Sequence, residues 1–357
     1  MAALQNNRQR YRGFENIVSL VGIEVGKLPN EELEKLLKCI KTPTKVIVPP
    51  QLSYDSGVHT LNESEYLVIS TDPCIGVPEK WFGWLLVHYA ASDVALFGAK
   101  PEYCTIILLG PPSTKAEVFR RIMEQVCTTI EELDMTVITG HTGTYDGLAA
   151  LVGTCTAYGR VKKDKLITPG GAQAGDKIIC TKQIGLETVV NFALTHRALA
   201  ESLFNVTHTR ELQNLVKMQT CVKEASLLTE AAGIHAMHDT TEGGLVAALN
   251  EMATTSNLGF TVELEKIPIL KEAQILQAHF TLSQNALLSI SSTGTLLAAI
   301  APKTADDALQ KLRNHGVDAS LIGVFTRDKK RLIQHGKKRM AFPKVAEDPY
   351  GRIMLKQ

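Results

Sequence analysis

His238-Asp239-Thr240-Thr241-Glu242-Gly243-Gly244-Leu245 runs directly into Val246-Ala-Ala-Leu-Asn-Glu-Met-Ala253, a segment with apolar residues at helical spacing. One carboxylate, two hydroxyls and two glycines at the mouth of a helix describe an anion-binding turn. Glycine permits close backbone approach, the first helical N–H groups lack partners, and the helix dipole favours negative charge. The remaining carboxylate suits a cation, so phosphate with Mg²⁺ is the guest the residues describe. Asp-Thr before Gly-Gly also caps ordinary helices. The stretch therefore takes its chemical meaning from carboxylates elsewhere in the chain.

Outward from this turn, elements alternate. Strands are predicted at 177–181, 260–264 and 295–300, helical patterns near 187–204 and 210–232, and a helix from Thr304 to Gly316. A hairpin over 320–325 and 331–334 follows, with the basic residues 327–339 read as a solvated face. These elements predict a mixed α/β domain over 166–345 and a tail over 346–357. Residues 170–177 approach a phosphate-binding Walker loop, but Asp176 occupies the lysine position and the segment precedes a strand, so that motif is rejected.

A charged run at 162–165 and Thr168-Pro-Gly-Gly-Ala172 mark a boundary with a first domain over 46–165, itself preceded by an extension over 1–45 that carries a short helix. In the first domain, Tyr54-Asp55-Ser-Gly-Val58 reads as a polar loop, and a β-branched run at 66–71 as a strand ending at Thr71-Asp72-Pro73. A helix over 81–97 places Asp93 on a stripe with Leu86, Tyr89 and Phe97, while its other side is apolar too. An unpaired carboxylate there costs on the order of several kcal/mol, so Asp93 needs a cation, a set of donors or a gap in the packing. Thr114 and Glu117 form a capping box for a helix to 133. A strand at 135–139 empties into a second glycine- and threonine-rich turn, Gly140-His141-Thr142-Gly143-Thr144, before a strand at 149–158. His141 reads either as a ligand or base, or as an exposed loop residue.

A chain of 357 residues is long enough for two domains. Thirty-eight Lys and Arg against 37 Asp and Glu leave a formal charge of +1. That balance supplies no broad field for nucleic acid or anionic lipid, and a small phosphorylated ligand fits better. Seven cysteines without a C-x-x-C pair argue against a zinc knuckle or dithiol redox motif, and suggest reduced thiols in a cytoplasmic protein. Cys74, two residues after Asp72, reads either as a nucleophile or as a buried structural thiol. The amino terminus has no apolar signal region, and no run reads as a membrane span.

Asp55, Asp72, Asp93 and Asp239 thus occupy a loop, a strand end, a buried helix position and a glycine turn. Hard oxygen ligands suit Mg²⁺ bridging to phosphates, and the implied chemistry is phosphoryl transfer from a nucleotide.

These motifs, with Phe97-Gly-Ala-Lys-Pro101, Val137-Ile-Thr-Gly140 and Pro169-Gly-Gly-Ala172, resemble the superfamily of aminoimidazole ribonucleotide (AIR) synthetase. That superfamily also contains selenophosphate synthetase, thiamine monophosphate kinase and the hydrogenase maturation factor that dehydrates a thiocarboxamide to a nitrile. Matches run over about 50–325, and the maturation factor is nearest in motif. The resemblance implies a two-domain α+β fold: an N-terminal mixed sheet that pairs with its twin into a dimeric barrel, a C-terminal mixed α/β domain, and ATP in the cleft between them. It implies Asp55, Asp72, Asp93 and Asp239 as holders of Mg²⁺ on the phosphates, and Thr71, Gly140, Thr142, Thr240, Thr241, Gly243 and Gly244 as nucleotide contacts. Asp239 and His141 are the catalytic candidates. The expected acceptor is a small molecule or a protein tail, activated at an amide-type or other oxygen.

The chain departs from the family pattern in four places, one being the last turn motif, where the maturation factor carries Pro and Arg and this chain has Thr240 or Thr241 and Glu242. Gly140-His141-Thr142 stands where the family has Gly-Asp-Thr. The chain finishes Arg352-Ile-Met-Leu-Lys-Gln357, without the maturation factor's terminal cysteine, and nothing before Cys39 matches the reactive cysteine of selenophosphate synthetase. The expectation is an ATP- and Mg²⁺-dependent homodimeric enzyme with a different acceptor. The alternatives are a cyclo-ligase, a small-molecule kinase, or a nucleotide-binding partner protein without catalysis. A ribosyl-phosphate acceptor would need a basic pocket that the sequence does not reveal.

Overall fold

A computed structural model describes residues 28 and 30–355, organised in two mixed sheets. The sequence readings of the amino terminus and of much of the 1–45 extension concern residues outside this range.

The first sheet has the order β1-β2-β3-β6-β4-β5, formed by β1 (Val46–Val48), β2 (Ser56–Thr60), β3 (Glu65–Ile75), β4 (Tyr103–Gly110), β5 (Thr136–Thr144) and β6 (Val152–Lys162). Only β4 and β5 are parallel, and the crossover that a parallel pair needs is supplied by the helix Ala116–Glu132. Two sequence readings change here. Residues 140–144 continue the edge strand β5 instead of forming a turn, and part of the polar loop at 54–58 is β2. The capping box at Thr114 is also absent, since the helix cap is Lys115 with no side-chain hydrogen bond.

Strand alternation gives this sheet two unlike faces. Val68, Ser70 and Cys74 of β3, with Cys104, Ile106, Cys155 and Ala157, are buried. Thr71, Pro73 and Ile75 alternate with the β3 set, and Ile75, Ile107 and Ile138 are exposed.

The helix Glu79–Leu96 is apolar around its whole circumference because it is covered on every side. It packs on β3 and β6, on the helix Ala116–Glu132, and on the second domain's helix Val222–Thr229. Gly83 allows the close helix contact, since a Cβ there would lie 2.4 Å from the Ile122 carbonyl oxygen. At the seam with the second domain, the Ser92 hydroxyl accepts from the Cys221 amide at 2.9 Å, and His88 Nδ1 lies 2.8 Å from Thr220 Oγ1.

The second sheet has the order β13-β12-β9-β11-β7-β10-β8. Its strands are β7 (Lys177–Thr181), β8 (Ile234–Asp239), β9 (Gly259–Glu263), β10 (Leu296–Ile300), β11 (Ala319–Thr326), β12 (Arg331–His335) and β13 (Lys338–Ala341). The sequence-predicted hairpin is corrected: β12 pairs in parallel with β9 and antiparallel with β13, while β11 lies between β7 and β9. Adjacent extended runs need not pair when the sheet offers another edge.

Directly after β7, Lys182 is buried with Glu224 at 2.8 Å, and its ammonium also donates to the Thr220 and Gly294 carbonyls. From Phe342 to Ile353, both buried, the C-terminal segment is anchored across this domain.

Candidate metal and nucleotide site

The carboxylates converge where the two domains meet. Asp55 enters β2, Asp72 lies in β3, Asp93 comes from the covered helix, and Asp239 ends the edge strand β8. Ser70 Oγ ties three of these elements together, lying 2.7 Å from Asp93 Oδ2 and 3.0 Å from the Asp55 carbonyl oxygen. His238 Nδ1 lies 3.4 Å from Asp239 Oδ1 and 3.9 Å from Asp55 Oδ2. One ligand atom each from Asp55, His238 and Asp239 falls within 4.8 Å of the others. On its far side, His238 Nε2 meets Glu251 Oε2 at 2.9 Å.

The electrostatics show what this packing costs. Burial pushes the half-buried Asp72 up to about 7, an effect eased by its hydrogen bond with Asp93 and increased by the charges of Asp55, Asp239 and Glu242. Asp93 is raised well above the carboxylate range by burial, then by Asp72, Asp55 and Asp239. Burial works against a charged His238, yet hydrogen bonds to Asp239 and Glu251 and the charge of Asp55 outweigh it and hold the imidazole up to about 10. Four crowded carboxyl groups, with Asp93 held protonated and Asp72 hydrogen-bonded to it, leave room beside one imidazolium for further positive charge. The donor set is oxygen-rich and hard, so the residues fit Mg²⁺.

The other sequence-predicted residues are placed unevenly. Thr71 is exposed, next to Asp72 in sequence but on the alternate face, with its hydroxyl 3.0 Å from Thr156 Oγ1. Gly140 lies in the same cross-sheet row as Asp72, through Ile106 and Cys155, three strands away or roughly 14 Å. His141 is one residue further along this exposed strand, its Nε2 2.6 Å from the Tyr145 hydroxyl, and Thr142 is exposed beside it. Within one chain, the fold does not bring these β5 residues to the carboxylates.

The glycine turn departs from the sequence reading in a specific way. Thr240 is fully buried, and its hydroxyl is directed at the Ser292 and Thr295 carbonyls. Thr241 is half-buried, and its carbonyl accepts from the Gly244 amide. Gly243 adopts φ +79°, but its N–H donates to Asp348 Oδ2 at 2.8 Å. Asp348 also accepts from Ser291 Oγ at 2.5 Å and from the Tyr350 amide at 2.9 Å. The chain's own carboxylate therefore takes a donor expected for phosphate, because the C-terminal segment crosses the turn. Cys74 is buried and its thiol is pushed up to about 12 by burial, which removes it as a nucleophile.

His238, Ser70, Glu251 and Asp348 carried no role in the sequence reading. His238 adjoins Asp239, a usable signal, whereas the pairings to Glu251 and Asp348 exist only in the folded chain. Glu187 joins them: burial pushes it up to about 7 while Thr293 donates to it from Oγ1 at 2.6 Å.

Two family signatures match the chain: the N-terminal domain of AIR synthase related protein over 53–161, and the C-terminal domain over 173–335. A protein of Methanocaldococcus jannaschii named for hydrogenase expression and formation is 31% identical over 253 residues, 70% of this chain and 72% of that one. The carbamoyl dehydratase HypE of Cupriavidus necator is 28% identical over 295 residues, 78% and 79% of the two chains. The selenide, water dikinase of Bdellovibrio bacteriovorus is 26% identical over 338 residues, 86% and 94%. Among solved structures, E. coli HypE superposes with a TM-score of 0.71 at 19% identity, over 91% of this chain and 100% of that one. A HypE in complex with ATP gives 0.64 at 21%, over 82% and 89%. The chain belongs to the AIR synthase-related protein family and carries both of its domains.

Proposed function

We propose that this chain is an ATP- and Mg²⁺-dependent enzyme that activates an acceptor oxygen by phosphoryl transfer. The observation that carries this reading is the convergence of Asp55, Asp72, Asp93 and Asp239, with His238 beside Asp55 and Asp239. Relatives named as a dehydratase and a dikinase, and a similarly folded HypE in complex with ATP, support it. Mg²⁺ supplies charge neutralisation on the phosphates when bound. The chain's own groups do the positioning: Ser70 fixes Asp93 against the Asp55 loop, and Glu251 orients His238 toward Asp55 and Asp239.

The exposed face of the first sheet, with Ile75, Ile107 and Ile138, supports a second copy of the chain as the working partner, with sheets apposed as a barrel. In such a pair, Thr71 and His141 lie on the apposed face and Gly140 and Thr142 on the edge strand beside it, which is where a nucleotide contact from them would arise.

A second reading, nucleotide binding without turnover, is favoured by one observation: Asp348 holds the Gly243 N–H. One experiment decides between the two. Purified protein should consume ATP only with Mg²⁺, and Asp72→Asn or Asp239→Asn should lower turnover by roughly 100-fold or more. Turnover unaffected by both variants rejects the site, and tight Mg²⁺-dependent binding without turnover selects the second reading.

A further inference from the structure

A cavity of about 610 Å³ opens on the far side of the His238–Glu251 pair, between the helix Gly244–Thr255, the loop that leads into β2, and the helix Asn30–Leu37. Its volume suits a small-molecule ligand. Three cationic side chains line it, Arg331, Lys344 and Lys38, contributed by segments far apart in sequence. The Arg331 guanidinium is fixed by two neutral acceptors, Asn250 Oδ1 at 2.8 Å and Thr254 Oγ1 at 2.7 Å. Among the described residues it has no carboxylate in ion-pair range, and neither Lys344 nor Lys38 has one. Of the two glutamates in the lining, Glu251 is engaged with His238. Burial lowers the pKa of Arg331 with no opposing charge to restore it. A held guanidinium fork facing a cavity, with two ammonium groups nearby, is a receptor for a planar or tetrahedral oxyanion.

The cavity also adjoins the carboxylate site. Ser53 in its wall is two residues from Asp55, and Glu251 is one hydrogen bond from the histidine that faces Asp55 and Asp239. Leu37 and Leu52 add an apolar wall for the body of a ligand.

We propose that this cavity seats the acceptor, and that the acceptor carries a phosphate or carboxylate held by Arg331, Lys344 and Lys38 while its reacting oxygen points toward the carboxylate cluster. This deepens the proposed function and rests on the cluster being the Mg²⁺–nucleotide site. It supplies the basic pocket that a phosphorylated acceptor requires.

Calorimetry on the full chain tests it, with inorganic phosphate as one probe and Mg²⁺ with a non-hydrolysable ATP analogue as the other, at constant ionic strength. Phosphate should bind alongside the analogue. Arg331→Gln and Lys344→Ala should each weaken phosphate roughly tenfold or more while leaving the analogue within about twofold. Arg331→Lys, which keeps the charge but not the fork, should recover part of the loss. Asp72→Asn should do the reverse, removing the analogue and sparing phosphate. Wild-type protein that does not bind phosphate, or binding indifferent to Arg331, overturns the proposal. Competition between phosphate and the analogue, with both weakened by Arg331→Gln, also overturns it and makes the cavity part of the nucleotide site. Loss of analogue binding alone, with phosphate still dependent on Arg331, removes the nucleotide reading but supports the oxyanion receptor.

Discussion

The carboxylate cluster makes the ligand-free fold less stable as pH rises, and Asp72→Asn should expose that directly. Asp72 is held up to about 7 from an ordinary value of 3.8. Between these values the folded chain binds more protons than the unfolded one, so stability falls with increasing pH across that window and the loss is complete above it. Ionising a carboxyl shifted that far costs the fold about 4 kcal/mol as an upper bound, since the unfolded chain feels none of the crowding. Asparagine keeps the shape and removes the charge. At pH 8 the variant should therefore melt above wild type, by at most about 8–16 °C, taking roughly 2–4 °C per kcal/mol for domains of this size. At pH 4, where Asp72 is already protonated in the fold, the two should nearly coincide. Mg²⁺ should raise the wild-type melting temperature at pH 8, because a cation that binds only the fold stabilises it, and should do much less for the variant. Thermal unfolding at pH 4, 6 and 8 with and without Mg²⁺ reads all of this. A wild-type melting temperature flat across that range, with an Asp72→Asn variant no more stable at pH 8, would refute the claim that these carboxylates are forced together.

Three further outcomes are expected. Glu224→Gln leaves the Lys182 ammonium buried without its ion and should cost about 3–5 kcal/mol by urea unfolding, whereas Lys182→Met with Glu224→Leu should regain most of it; equal losses in both would deny the pairing. Asp348→Ala strands the Gly243 amide and the Ser291 hydroxyl, so it should cost about 1–2 kcal/mol and speed limited proteolysis within 343–355; an unchanged cleavage rate would mean that other contacts hold the segment. Gly243→Ala forces a side chain into φ +79° and against the Ala247 Cβ at 2.7 Å, and should cost about 1–2 kcal/mol or more by the same urea assay.

The clustered carboxylates stood out in the sequence because each sits in a local pattern that marks it: Asp72 at a strand's run of β-branched residues, Asp93 on an otherwise apolar helix, Asp239 before paired glycines. The two-domain fold was legible through the same motifs. Pairings across the fold were not. No spacing rule connects Glu251 to His238 or Asp348 to Gly243, and Arg331 looked like one more residue of a solvated basic run until β12 placed it over Asn250 and Thr254. The Gly140–Thr144 segment was misread because its two glycines suggested a turn, although its β-branched threonines favour a strand. On an edge strand glycine is tolerated, and at Gly140 it is demanded by the Ile106 carbonyl oxygen, which a Cβ would meet at 2.2 Å. Likewise β12 turned away from β11 because the free edge of β9 was available, a fact of tertiary arrangement.

The Ser92–Cys221 and His88–Thr220 hydrogen bonds lie one residue and little more than one turn from Asp93. They clamp the helix bearing that aspartate to the neighbouring domain at the pivot where a two-lobed protein would otherwise flex. Any separation of the two domains at this point would have to break both bonds.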